Sequence, residues 1–99
     1  MAKKIEWSET SLAELGQMLM YLAEEVSENA AEKFANLVKT KIMQLATNTF
    51  DGRPVPTRKT IRFIMLRKYR RLYYRRHGEA LYITRFYDTR QDPSKQPYG

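Results

Sequence analysis

Cysteine is missing from all 99 residues, so disulfide frameworks, thiolate metal sites and cysteine nucleophiles drop out together. A single histidine leaves no cluster of imidazoles to hold a metal, and neither a metal nor a cofactor is expected. Four glycines and four prolines are scattered rather than periodic, which gives no reason to expect a fibrous repeat or a disordered tract. No apolar run comes near the ~20 residues of a membrane-crossing helix, so no membrane role is expected. The basic start, Met1 to Trp7, is not followed by an apolar leader segment, and a cytoplasmic protein is expected.

What remains is 42% hydrophobic and 29% charged, enough for one small core and too little for two, so residues 1–99 are read as a single domain. The net charge of +7 is unevenly spread. Up to Asn48 there are five Lys/Arg against seven Glu, a balance of −2; from Thr49 onward there are thirteen against four acids, a balance of +9. A positive half this concentrated points to an anionic partner, such as nucleic acid, the ribosome or an acidic protein segment. The plainer alternative is a solvated basic face that only aids solubility.

Ile5 and Trp7 alternate with Lys4 and Glu6, the period of a half-buried strand. Leu12, Leu15, Leu19, Leu22 and Val26 then recur every three or four residues, which predicts a helix with one apolar stripe, capped by Ser8 or Ser11. After a break at Ser27-Glu28-Asn29, with Asn29 as the expected cap, a second stripe runs through Ala31, Phe34, Val38, Ile42 and Leu45. The glycine and prolines of 48–59 predict a loop, and three strands follow over 60–66, 69–76 and 80–87 as an antiparallel meander. The expected class is α+β, in the order β-α-α-β-β-β, with the helical hairpin on one face of a small antiparallel sheet and the other face free. The tail 88–99 lacks periodicity and is expected to be extended or disordered.

Between Arg67 and Arg76 six of ten residues are basic and three are tyrosine. In a strand, Arg70-Arg71 and Arg75-Arg76 must each place one charge on either face. Guanidiniums that grip phosphates beside rings that stack on bases suit RNA, while the plainer reading is an edge strand protected by its charge. Arg67, Lys68, Arg71, Arg75 and Arg85 are the candidate binding residues. No Ser-His-Asp set and no paired carboxylates are recognisable, and His77, beside Gly78 in a turn, is read as solvated.

The loop Phe50-Asp51-Gly52-Arg53-Pro54, the strand Lys68-Tyr69-Arg70-Arg71-Leu72-Tyr73 and the closing run from Ile83 to Pro93, in this element order, resemble the RelE/ParE toxin superfamily. The resemblance implies the toxin of a type II toxin–antitoxin, plasmid-stabilisation-like module, partnered by a cognate antitoxin, as a homodimer or a toxin–antitoxin hetero-oligomer. RelE-like members cut messenger RNA on the ribosome without metal; ParE-like members inhibit DNA gyrase. If the chain were such an RNase, the resemblance assigns catalysis to Arg62, Arg70, Arg90 and Tyr87. Ile64 stands where those enzymes carry a second lysine, and their tyrosine after the last strand is matched only by Tyr87 or by Tyr98 in the tail. The long helical hairpin and the Phe-Asp-Gly-Arg-Pro loop are closer to ParE, which makes gyrase the expected target. A ribosome-dependent mRNA endoribonuclease and a non-toxic basic nucleic-acid-binding module are the alternatives.

Overall fold

A computed structural model describes residues 4–98. Ser8, in extended backbone, accepts the Ser11 N–H on its hydroxyl at 3.0 Å and so starts helix α1, Glu9–Glu25. Ser11 is buried instead of capping, and donates to the Ser8 carbonyl at 2.8 Å. Helix α2, Glu28–Ala46, is capped by Ser27 and not by the expected Asn29. The reason lies one residue back, where the Leu22 carbonyl accepts both the Val26 and Ser27 N–H groups at 3.0 and 2.9 Å. The chain therefore reverses at once, and the Ser27 hydroxyl is in place for the Ala30 N–H.

Five strands form one sheet in the order β1-β5-β4-β3-β2, from β1 (Lys4–Trp7), β2 (Arg53–Val55), β3 (Arg58–Leu66), β4 (Arg70–His77) and β5 (Ala80–Asp88). The expected meander is β3-β4-β5, with antiparallel pairing throughout. Two strands extend it. The loop region supplies β2, an edge strand where Pro54 can lack an N–H without breaking a central ladder. At the other edge β1 runs parallel to β5, with Ile5 opposite Leu81 and Trp7 opposite Ile83, so the sheet is mixed rather than purely antiparallel.

The helical hairpin covers one face. Leu22, Phe34, Val38, Ile42 and Leu45 are buried against Ile64, Leu66, Leu72, Tyr74, Leu81, Ile83 and Phe86, with Leu15, Met18 and Leu19 half-buried at the margin. Each large aliphatic side chain in such a core contributes about 2–5 kcal/mol relative to alanine. Leu12, in the first turn of α1, and Val26, the residue that ends it, are 54% and 63% exposed although they continue the stripe. The opposite face holds a second buried cluster, Val55, Ile61, Tyr73 and Tyr87, flanked by Phe63 and Tyr98.

That cluster is covered by the chain's own tail, which folds back instead of extending into solvent. Asp92 caps a short 3-10 turn, Pro93–Lys95, by accepting the Ser94 N–H at 2.9 Å. Pro97 is buried and the Tyr98 ring lies 5.3 Å from that of Tyr73. The physical cause is the aromatic surface of Tyr73, Tyr87 and Phe63, which lies on the face away from α1 and α2.

Candidate functional site

Alternation along β4 divides the basic segment between the faces, as expected from Arg70-Arg71 and Arg75-Arg76. Leu72 and Tyr74 enter the helix-side core, and Arg70 and Arg76 share their face; Tyr73 enters the opposite cluster, with Arg71 and Arg75 beside it. On this second face cations lie over rings: Arg71 over Phe63 at 4.5 Å, Arg75 over Tyr82 at 4.3 Å and Arg58 over Tyr98 at 5.5 Å. Arg67 and Lys68 sit exposed in the β3–β4 turn, where Arg67 adopts φ +64°. The arrangement is a cationic, aromatic surface suited to an anionic or aromatic partner.

Arg85 has a different job. Its guanidinium meets the Glu14 carboxylate of α1 at 2.8–3.1 Å, and Glu14 also accepts the Phe86 N–H at 2.9 Å. Ladder pairing with β1 ends at Ile83, so Glu14 takes over where the edge of β5 would otherwise be unpaired. The hydrogen bonds from Arg85 to Glu14 hold this arginine's pKa above its ordinary value.

Asp51 organises the loop after α2. Its Oδ1 accepts from the Tyr74 hydroxyl, from the Gly52 N–H at 2.9 Å and from Arg76 at 2.6 Å, while Arg62 approaches its Oδ2 at 3.5 Å. Arg62 also donates to the Gly52 carbonyl at 2.7 Å, and Arg76 to the Leu45 carbonyl at 2.9 Å, which closes the end of α2. A Cβ on Gly52 would lie 2.3 Å from the Phe63 carbonyl oxygen, so only glycine lets the loop rest on β3. Partial burial pushes the Asp51 carboxyl up, but the bonds from Tyr74, Arg76 and Gly52 outweigh it and hold the group below its usual 3.8. Burial and the Asp51 bond push Tyr74 up to about 12.

A cleft of about 460 Å³ opens between α1 and the ends of β4 and β5, lined by Glu14, Tyr21, Arg70, Asp88 and Arg90 among others. Arg90 grips Asp88 at 2.9 and 3.1 Å, and lies over the Tyr69 ring at 4.5 Å. Arg70, nearly buried, is 3.9 Å from the same carboxylate and 5.3 Å from the Phe34 ring, and its Nε has no hydrogen-bond partner among the described residues. The hydrogen bonds from Arg90 lower the Asp88 pKa against the effect of burial.

Of Arg62, Arg70, Arg90 and Tyr87, only Arg70 and Arg90 meet. Arg62 is paired with Tyr74 across the sheet while Arg70 is paired with Leu66, four residues further along β3 and so ~13 Å away. Tyr87 is buried on the opposite face, with its hydroxyl donating to the Gln91 and Asp92 carbonyls at 3.3 and 3.2 Å. Glu14 and Asp51, to which the sequence assigned no site role, carry the densest polar networks. The sequence signal for Asp51 is that only four acids stand among the thirteen Lys/Arg of the basic half, and two of the four, Asp51 and Asp88, form the ion pairs with guanidiniums there.

A helical hairpin on a basic mixed sheet, with the first strand parallel to the last, is a fold shared with solved proteins of toxin–antitoxin systems. A chain of the chromosomal ParDE toxin–antitoxin system of P. aeruginosa superposes with a TM-score of 0.73 at 18% identity, covering 88% of this chain and 96% of that one. The E. coli DinJ-YafQ toxin-antitoxin complex contains another, with a TM-score of 0.64 at 18% identity over 89% and 93%. YafQ from E. coli strain BL21(DE3) gives 0.61 at 18% over 87% and 92%. No curated protein matches in sequence. Residues 5–93 match the family described as the ParE toxin of the type II toxin-antitoxin system parDE, and the chain belongs to that family.

Proposed function

We propose that this ParE-family toxin arrests growth by binding DNA gyrase in the cytoplasm, and that a cognate antitoxin neutralises it. The observation that carries the reading is the family match over residues 5–93. The geometry supports binding over RNA cleavage. In-line attack on a phosphodiester needs an acid, a base and a phosphate clamp within hydrogen-bond reach of one another. Here Arg62 is committed to Asp51 and Gly52, Arg90 to Asp88, and Tyr87 to the tail on the other side of the sheet. Arg67, Lys68, Arg71 and Arg75 remain as the surface for a target, with Arg85 held back by Glu14.

An apolar groove of about 310 Å³ between β1 and α2, walled by Ile5, Trp7, Leu15, Val38 and Ile42, is where an antitoxin segment would dock. It adjoins the outer edge of β1, so an amphipathic segment would fill the groove and an extended one would pair with the strand.

Two assays on one preparation test the target: supercoiling of relaxed plasmid by gyrase, and cleavage of messenger RNA on ribosomes. Inhibition of gyrase without cleavage is expected. Ribosome-dependent cleavage that disappears in Arg70→Ala, with gyrase untouched, replaces gyrase inhibition with the RNase reading. Activity in neither assay, with harmless expression in the host, leaves a basic nucleic-acid-binding protein.

A further inference from the structure

Tyr98 occupies a defined slot. Its ring lies between the Tyr73 ring, at 5.3 Å and tilted by 60°, and the Arg58 guanidinium at 5.5 Å. Its hydroxyl donates to Thr84 Oγ1 at 2.8 Å, and its backbone carbonyl accepts from the Thr57 hydroxyl. The residue adopts φ +64°, a left-handed conformation that disfavours a non-glycine residue and that its contacts must offset. Lys95 and Gln96 turn their N–H groups back onto Asp92 and Pro93 within the tail, so the hold on the sheet runs through side chains. Beside Tyr98 a cavity of about 160 Å³ continues over Val55, Phe63 and Arg71.

We propose that this slot is a docking site for an aromatic residue of an acidic peptide, and that Tyr98 is the resident that such a peptide displaces. The polar ends of the slot are neutral hydroxyls, Thr57 and Thr84, matched to an amide carbonyl and a phenol. That spacing suits a tyrosyl residue in a peptide backbone better than a base on a sugar-phosphate. Charge sets the preference for acidic flanks. Arg58 lies over the Tyr98 ring, Arg71 lines the adjoining cavity and Arg75 lies over Tyr82, and among the described residues none of the three has a carboxylate within 4.0 Å; each rests on a ring instead. An anionic neighbour of the docked ring would find guanidiniums that, among the described residues, hold no carboxylate.

The test uses the full chain and a fluorescein-labelled octapeptide with the tail's own sequence, residues 91–98, followed by fluorescence anisotropy. The Tyr98→Ala protein, whose slot is vacant, should bind the octapeptide at least tenfold more tightly than the wild type. Tyr98→Ala within the peptide should abolish that gain. A peptide carrying Ser94→Glu and Lys95→Glu should bind more tightly still at 50 mM salt, with the advantage lost at 500 mM. In the wild-type chain, excess acidic peptide should erase the nuclear Overhauser contacts between Tyr98 and Tyr73, a readout that needs no variant to fold. Equal binding by wild type and Tyr98→Ala, or binding that ignores the peptide tyrosine, overturns the proposal. Tighter binding of a labelled hexauridylate than of either peptide overturns it too, and assigns the slot to an unpaired base.

Discussion

Asp51→Ala removes one acceptor from three donors at once. The Tyr74 hydroxyl, in a residue with no exposed surface, loses the only acceptor it meets among the described residues, while its oxygen still takes the Gly52 N–H at 2.7 Å. Arg76 keeps the Leu45 carbonyl but loses its carboxylate. Hydrogen bonds to a charged group are worth ~1.5–3 kcal/mol each, and because the Asp51 side chain is 46% exposed, water recovers part of that. The expected loss is ~2–4 kcal/mol out of a total of ~5–15, or roughly 10–20 °C in melting temperature. Thermal and urea unfolding followed by circular dichroism measure it, and a double-mutant cycle with Tyr74→Phe should show coupling of ~1 kcal/mol or more. A loss under ~0.5 kcal/mol, or strict additivity, would falsify the view that Asp51 holds the loop to the sheet. The pH dependence has two limbs. The folded Asp51 carboxyl titrates below 3.8, so its contribution is complete at neutral pH and disappears as the pH falls from 3.8 through the folded value. Asp88 is lowered in the same range, so the difference between wild type and Asp51→Ala is what isolates Asp51. Tyr74 is raised from 10.0 to about 12, so its contribution is intact below pH 10 and is lost between 10 and 12. Tyr74→Phe should flatten that alkaline limb.

Three further substitutions probe other parts of the fold. Gly16, mid-helix and exposed, has nothing within 4 Å of an added Cβ, so Gly16→Ala should stabilise by ~0.5–1 kcal/mol in urea melts; destabilisation would mean a crowded helix face. Gly52→Ala should cost ~1–3 kcal/mol, because its methyl meets backbone rather than a yielding side chain, and a neutral result would place the loop further from β3. Glu14→Ala strands the Phe86 N–H and the Arg85 guanidinium, at ~2–3 kcal/mol, and hydrogen exchange at Phe86 should accelerate; unchanged protection there would count against Glu14 as the cap of the β5 edge.

The helices and the meander were legible because hydrophobic periodicity is local: the stripe from Phe34 to Leu45 and the alternation in β3 state their own burial. Pairings between distant segments left no such trace. Whether β1 lies parallel or antiparallel depends on where the helical hairpin returns the chain, and β2 is three residues around a proline that reads as loop. The tail is not legible in the sequence because Pro97 and Tyr98 carry no period; what orders them is a surface built by Tyr73, Phe63 and Val55, remote in sequence. At the candidate site, the distribution of Arg70, Arg71, Arg75 and Arg76 between two faces followed from strand geometry alone. The commitment of Arg62 to Asp51 did not, because a guanidinium that binds phosphate and one that anchors a loop look the same in sequence.

The parallel pairing of β1 with β5 also sets a clock on biosynthesis. Ser8 donates to the carbonyl of Thr84, 76 residues later, and the core faces of both helices wait for strands that are made after them. At a translation rate of ~5–20 residues per second, about 4–15 s separate the two halves of that contact. Throughout this interval the nascent hairpin has its apolar stripes and no sheet, and the basic surface is unassembled. The toxin thus reaches its folded form only when its last strand leaves the ribosome, whereas the hairpin is available to a co-translational binder several seconds earlier.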